Sequence, residues 1–422
     1  MSESLIRTTI GSPNSTFPRG TRNLGVVLAI SGVSAGLSFM ARVVLQRVLP
    51  TPEVAEFALL SSLFQIIGPV ASWGQAAVVL RAYSRAPKGA YDYSRDFART
   101  FLPGLWIVAG LTFLASLIYR LPIPQVGFVL GTSLMLGMTL WLIMVLRSHR
   151  EYALATLLDR APHGLMFLVS VIVWLWLPSS AAALAGQTAL LAIALIAAFT
   201  AVFSRIPRGQ TTLNHDQRRE GAAFLLQQLA FLATYHGDIA VVGALLSSAQ
   251  LATYSVVLNL LRPFDLLRSS LQTILITEAA QQRRLEIGRI ARYAALPLVG
   301  LALIYVSFGK FALHLIFSGR YDDGQVLITA LVPAAFFQAM YTVPFSVITG
   351  RGAPRQLRRF IGIDSGIGLA GLGLLWETTR RWMALGTAAS MAVIWATRTV
   401  LGLRISAESD GQTVSESDRG RG

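Results

Sequence analysis

The stretch Leu49–Leu63, LPTPEVAEFALLSSL, has a counterpart at Leu246–Leu260, LSSAQLATYSVVLNL. Both open with a short polar turn. Both then place an alanine (Ala55, Ala252), an aromatic ring (Phe57, Tyr254) and an apolar run. They begin at positions 49 and 246 of a 422-residue chain, which reads as two halves built on one plan.

Outward from these stretches the chain is a series of long apolar blocks. A hydrocarbon core of about 30 Å takes about 20 helical residues. A β-barrel would show alternating segments of about 10 residues instead. The blocks here are continuous, and twelve are read. Six lie at 24–49, 53–80, 100–119, 123–146, 162–178 and 181–203; six more lie at 221–246, 249–278, 293–316, 325–349, 359–376 and 383–401.

Basic residues test that count, because cytoplasmic loops carry an excess of Lys and Arg. With twelve spans, one side collects 26 of the 36 basic residues and the other only Arg120, Arg320, Arg380 and Arg381. A missed span in mid-chain would destroy this alternation. The reading is an all-α integral membrane protein whose twelve transmembrane helices form two six-helix lobes, related as a parallel repeat about an axis along the membrane normal. The expected divisions are a cytoplasmic N-tail (1–23), an N-lobe (24–204), a basic cytoplasmic linker (205–220), a C-lobe (221–402) and a disordered cytoplasmic C-tail (403–422). The polar N-terminus has no signal-peptide core, so the first span is expected to stay in the mature protein.

Charged residues make up 14% of the chain, against about 25% in soluble domains. The net charge of +15 is therefore read as topological and not as a nucleic-acid surface. The absence of cysteine excludes disulfides and thiolate chemistry. No cofactor or metal site is read: there is no Asp-x-Asp pair, and Asp322–Asp323 sits in a turn. GVSAG (Gly32–Gly36) matches the nucleophile-elbow pattern, which needs a strand-to-helix turn. Here it lies inside a span. Together with Gly127/Gly131 and Gly362/Gly366 it reads better as a small-residue packing face. The outer loops are too short for a glycan polymerase or ligase.

Charges within spans divide by depth. Arg47, Lys310, His314, Asp364 and Arg398 lie near span ends and are expected to snorkel or pair locally. Arg42, Asp238, Arg262 and Asp265 lie deeper, where a charge is costly and faces water or protein. Arg42 and Asp238 occupy similar depths in the two halves. Either they approach one another across the boundary between the lobes, or each pairs within its own lobe. In span 8, Ser255, Asn259, Arg262, Asp265, Ser269, Gln272 and Thr273 share one helical face, with Arg268 at its margin. Arg262–Asp265 and Asp265–Arg268 are i, i+3 pairs, and Pro263 is expected to kink the helix. This stripe is either a cationic wall for a phosphate-bearing ligand, since arginine's planar fork suits phosphate oxygens, or an ion-pair network without a ligand. Trp73, Gln75, Gln227, Gln228 and His236 are candidates for ligand contacts (with sugars, if the resemblance described next holds), or for ordinary interhelical bonds. His163, His236 and Asp238 are candidates for proton coupling.

Several segments resemble the Wzx-type polysaccharide and O-antigen flippases, the polysaccharide transporter branch of the multidrug/oligosaccharidyl-lipid/polysaccharide exporter superfamily. LQRVLPTPEVAEFALLSSLFQIIGPVASWG is similar to that family's span 1–2 signature, and DIAVVGALLSSAQLATYSVVLNLL to its span 7–8 signature. IFSGRYDDG resembles the turn between spans 9 and 10, and ITGRGAPRQLRR the loop after span 10. Leu49 and Glu56 stand where the family usually has glycine. The resemblance implies two lobes around a V-shaped cleft lined by spans 1, 2, 7 and 8, in the bacterial inner membrane. It also implies alternating-access movement of an undecaprenyl-diphosphate-linked glycan for lipopolysaccharide or exopolysaccharide synthesis. The implied partners are that glycan lipid, membrane lipid, a coupling proton or sodium ion, and polysaccharide polymerase machinery. Arg42, Arg262, Asp265, Arg268, Asn259 and Gln75 are then the expected cavity residues, and Asp238, His236 and Arg47 the expected coupling or gating residues. A drug-cation exporter of the same superfamily is the alternative; the cavity arginines argue against it.

Overall fold

The computed structural model describes residues 20–87, 89–281, 287–351 and 354–419. The remainder of the N-tail, Arg283 and Arg284, and Arg421 lie outside the described residues. No strand occurs among those described; a single bridge pairs Tyr91 with Thr211.

The first half contains α1 (Gly20–Val48), α2 (Thr51–Ile67) and α3 (Gln75–Arg85), with a 3-10 turn at Gly68–Ser72 between the last two. It continues with α4 (Tyr93–Tyr119), α5 (Ile123–Ser148), α6 (Tyr152–Trp176) and α7 (Ser180–Arg205). The second half contains α8 (His215–Tyr235), α9 (Gly237–Leu245), α10 (Ser248–Leu260), α11 (Arg262–Gln281) and α12 (Ile287–Phe317). After a 3-10 turn at Asp322–Gly324 come α13 (Gln325–Met340), α14 (Thr342–Arg351) and α15 (Pro354–Arg419).

Nine helical stretches among the described residues are long and apolar enough to cross a membrane. One of them, Leu357–Ala407, holds two passes, because Trp382 and Met383 leave helical geometry inside α15. Spans 7 (α8–α9) and 8 (α10–α11) are not among the nine: α9 and α10 are too short by themselves, and α8 and α11 carry too many polar and charged residues. The result is twelve passes in two six-span lobes, as the apolar pattern predicted. α15 runs on to Arg419, through the segment expected to be a disordered tail.

The breaks have local causes. Pro263 has no N–H to offer the Asn259 carbonyl, and its ring crowds that group; span 8 breaks at Leu261, as the expected kink required. The Leu260 carbonyl accepts a hydrogen bond from Tyr305 Oη on span 9. Pro344 has the same effect on the Met340 carbonyl, and span 10 breaks at Tyr341. Span 7 breaks at His236, just before Gly237. In span 2, Trp73 and Gly74 both take left-handed backbone, and a Cβ on Gly74 would strike the backbone of Gly221 and Leu225.

Side-chain bonds show which turns share a face. Arg320 donates to the Arg47 carbonyl, and Glu56 takes bonds from Gln125 and Ser180. Gln250 contacts Met383. This face, remote from the termini, is called distal. On the terminal face, Tyr91 pairs with Thr211, and Arg81 forms an ion pair with Glu220. Asp92 caps α4, accepting bonds from Ser94 and from the Arg95 N–H; the Ser94 side-chain bond is the main reason its pKa is held below the ordinary carboxylate value.

One buried cluster belongs to the N-lobe, another to the back of the C-lobe. A third crosses between the lobes and joins Leu45, Leu49, Val54 and Ala55 to Leu251, Ala252 and Tyr254. The two repeated stretches thus pack directly against each other. Lipid is as apolar as leucine, so close backbone approach contributes more than apolar burial alone. The glycines that permit this are Gly104 against Ala71 and Gly137 against Gly68. The small-residue faces expected at Gly32/Gly36, Gly127/Gly131 and Gly362/Gly366 are corrected: a Cβ at any of those positions would meet nothing within 4 Å.

Candidate functional site: a cavity between the lobes

A cavity with about 1090 Å³ of empty space, open solvent included, lies between the lobes. Span 1 contributes Arg42 and Gln46; span 2 contributes Ala58, Ser61, Ser62 and Gln65. Span 7 contributes Tyr235, His236 and Asp238, and span 8 contributes Ser255, Asn259, Arg262 and Asp265. The four spans implied by the resemblance line it, and span 10 adds Gln338. A second pocket inside the N-lobe adjoins it, sharing Arg42, Phe57, Gln65 and His236 and adding His163 and Gln187.

The broken helices place these side chains. At the break, span 8 turns Arg262 and Asp265 toward the same space as Asn259, one turn earlier. Span 7 does the same with His236 at its break and Asp238 in the first turn after it. Irregular backbone at membrane depth is tolerated where it lines a cavity or is enclosed by protein.

Arg42 and Arg262 come from opposite lobes. Neither makes a hydrogen bond or ion pair with protein among the described residues, and both are only partly covered. Asp265 does not neutralise Arg262. It pairs with Arg268 instead, Nε to Oδ1 at 3.2 Å. Arg268 lies over the Tyr235 ring at 4.8 Å and donates to Tyr235 Oη at 3.2 Å. Arg268 therefore sits behind the cavity wall rather than in it. Of the two expected i, i+3 pairs, Asp265–Arg268 forms and Arg262–Asp265 does not.

Asp238 is 2% exposed and is held within its own lobe by the Tyr254 hydroxyl at 2.9 Å and the Ile239 N–H at 2.8 Å. In this state it makes no ion pair with Arg42. Gln75 does not line the cavity: it is buried at the terminal face and donates to the Arg218 carbonyl at 2.9 Å. The turn at Trp73–Gly74 carries it out of line with the rest of span 2. The Arg47 side chain is exposed, and only its carbonyl is engaged, by Arg320. His314 pairs locally with Asp322 at 2.8 Å, and Lys310 is exposed. Arg398 and Asp364 do not reach the surface. They are 1% and 3% exposed and pair with each other. The side chains of Gln227, Ser269 and Thr273 lie outside the described ones.

Gln46 is the residue the sequence reading missed. Its Nε2 donates to the Ser255 carbonyl at 3.3 Å, its Oε1 accepts from Asn259 Nδ2 at 3.2 Å, and its carbonyl accepts from Tyr321 Oη at 3.2 Å. All three bonds cross between lobes. With Arg320 donating to Thr51 Oγ1 at 3.0 Å, they tie the two lobes together toward the distal side. One turn after Arg42 on a helix facing a partner, a glutamine was the available signal.

No family model matches the chain, and no curated protein matches it. Solved structures do. A lipid II flippase, MurJ, in an inward closed conformation aligns with TM-score 0.67 at 11% identity, covering 91% of this chain and 87% of that one. A multidrug resistance MATE family transporter of the MOP superfamily, facing inward, aligns with TM-score 0.60 at 12% identity, covering 90% and 98%. A MOP superfamily transporter from Pyrococcus furiosus, described as having a binding pocket of reverse polarity, aligns with TM-score 0.61 at 10% identity, covering 92% and 95%. At such identities the likeness speaks for architecture. The chain has the two-lobed, all-helical membrane fold shared by these transporters.

Proposed function

We propose that this chain is a transporter, not an enzyme, that moves a lipid-diphosphate-linked oligosaccharide across the bacterial inner membrane by alternating access, in the synthesis of a surface or exported polysaccharide. One observation carries the reading: Arg42 and Arg262, from opposite lobes, line one cavity, and neither forms an ion pair among the described residues. With Arg268 behind the wall, three guanidiniums against the carboxylates of Asp238 and Asp265 leave the surroundings net positive, which favours an anion, and a diphosphate offers oxygens to the forks of Arg42 and Arg262 at once. A cationic drug would be repelled. Ser61, Gln65 and Gln338 offer neutral hydrogen-bonding groups to sugar hydroxyls. Asp265, already engaged by Arg268, limits the positive field so that substrate can leave. His236, at the break in span 7, and Asp238, just after it, are the candidates for coupling to a proton or sodium ion. The terminal face, where basic residues gather, is assigned to the cytoplasm.

The test uses purified protein in liposomes containing a labelled polyprenyl-diphosphate sugar, with each leaflet assayed separately. The expected result is protein-dependent transfer that is lost in Arg42→Gln and in Arg262→Gln. Transfer that is absent from the unaltered protein, or unchanged in both variants, sinks the reading.

A further inference from the structure

Behind the cavity, in the interior of the C-lobe, lies a second arginine site unlike the first. Arg398 on span 12 has a side chain that is 0% exposed. Its Nη1 donates to Thr234 Oγ1 at 2.6 Å. Its Nη2 donates to the carbonyls of Ala230 and Asp364, both at 3.2 Å. Its Nε lies 3.2 Å from Asp364 Oδ1, which also accepts a hydrogen bond from Tyr341 Oη at 2.8 Å. The guanidinium is 4.9 Å from the centre of the Trp395 ring. A Cβ on Gly368 would collide with Nη2 and with Ala230, so a glycine there keeps the room open.

This is an oxygen-lined cage with a planar cation inside it. The oxygens that meet the guanidinium come from spans 7 and 11 and the cation from span 12; span 10 joins through Tyr341, whose hydroxyl bonds the same Asp364 oxygen. Two of the cage residues adjoin helix breaks. Thr234 lies just before the break at His236, and Tyr341 is itself the break of span 10. Arg398 Nε and Asp364 Oδ2 are both buried without a hydrogen-bond partner, so the pair itself is held by charge, at 3.2 Å.

We propose that Arg398 is a built-in counter-cation: its guanidinium fills a cage shaped for it and pins the breaks of spans 7 and 10 at one level, so that the C-lobe holds together without exchanging a cation at this cluster. The inference rests on the cage geometry and stands apart from the cavity and its ligand. A buried carboxylate needs a paired charge, and the chain supplies that charge covalently.

The site can be emptied and refilled. Arg398→Ala in the full-length protein, purified in detergent, is expected to lose several degrees of Tm. Guanidinium chloride well below denaturing concentrations is expected to restore part of that loss, because a ligand bound only by the folded state stabilises it. Sodium chloride at equal ionic strength serves as the control. The unaltered protein and the Asp364→Asn/Arg398→Ala double variant should show no such gain. No gain in Arg398→Ala, or an equal gain from sodium, in the unaltered protein or in the double variant, overturns the proposal. If Arg398→Ala does not accumulate, a double-mutant cycle of Arg398→Gln and Asp364→Asn decides it. Losses that are strongly non-additive support the cage; additive losses overturn it.

Discussion

The two lobes share a six-span plan but handle polarity differently. In the N-lobe, spans 1 and 3–6 are continuous helices, and only span 2 is interrupted. Its buried carboxylate, Asp96, sits at the terminal face, where it accepts bonds from Tyr83 Oη at 2.9 Å and from the Leu213 N–H of the linker. In the C-lobe, spans 7, 8 and 10 are all broken, and an ion pair lies at the back of the lobe. Breaks and buried charge occur together for a reason. A broken helix frees carbonyls, and in lipid those carbonyls must find donors. Tyr305 supplies one for span 8. The N-lobe is thus the more uniform body, and the C-lobe carries the joints.

The sharpest test of this contrast compares the two cavity arginines. If the lobes share one anion, Arg42→Gln and Arg262→Gln should reduce translocation by similar amounts. A charge-assisted hydrogen bond is worth about 1.5–3 kcal/mol, or roughly tenfold to a hundredfold in rate at about 1.4 kcal/mol per decade. A large loss for one and none for the other would confine the site to one lobe.

The joints come next. Gly74→Ala places a side chain on left-handed backbone and against Gly221, and should cost about 2–4 kcal/mol. Pro263→Ala restores a hydrogen-bond donor and removes a clash, so it should leave Tm unchanged or raised while slowing transport. Thermal melts and initial rates separate the two. Equal destabilisation by both would mean that the breaks of the two lobes are equivalent.

The seam between the lobes gives a smaller effect. Gln46→Leu removes two side-chain bonds and leaves Asn259 without its partner, a cost of about 1–3 kcal/mol. The chain has no cysteine, so a single Ala58→Cys reports on the cavity. Impermeant maleimide applied from the distal side should label it faster in the Gln46→Leu background. An unchanged rate would place the distal seal elsewhere.

The smallest effect belongs to Asp92. Asp92→Ala removes the α4 cap and should cost about 1 kcal/mol. The native pKa of this carboxylate is depressed, so its stabilising contribution is present above the ordinary carboxylate pKa and is lost as pH falls through the lowered native value. Tm measured against pH should show the difference between the two proteins shrinking in acid.

Much of this architecture was legible. Depth and helical position singled out Arg42, Asn259, Arg262 and Asp265, and the family resemblance supplied the cleft between spans 1, 2, 7 and 8; the structure places all four in one cavity lining. Pro263 announced its break. Gln75 was misplaced because the Trp73–Gly74 turn redirects span 2, which an unbroken wheel does not anticipate. Arg398 and Asp364 looked like residues near span ends because each was measured along its own helix.

The sequence by itself determined the number of passes, their alternation and the repeat, since these follow from the cost of placing polar groups in hydrocarbon, residue by residue. The tertiary structure alone decided the partners. Gln46 bridges the lobes, Asp238 is taken by Tyr254, Arg398 closes on Asp364, and of the two i, i+3 pairs open to Asp265 only the one with Arg268 forms. Each is a contact between residues on different helices or in different turns. Such contacts depend on how helices lean and where they break, and a short-range bond changes strength over less than the width of one side chain.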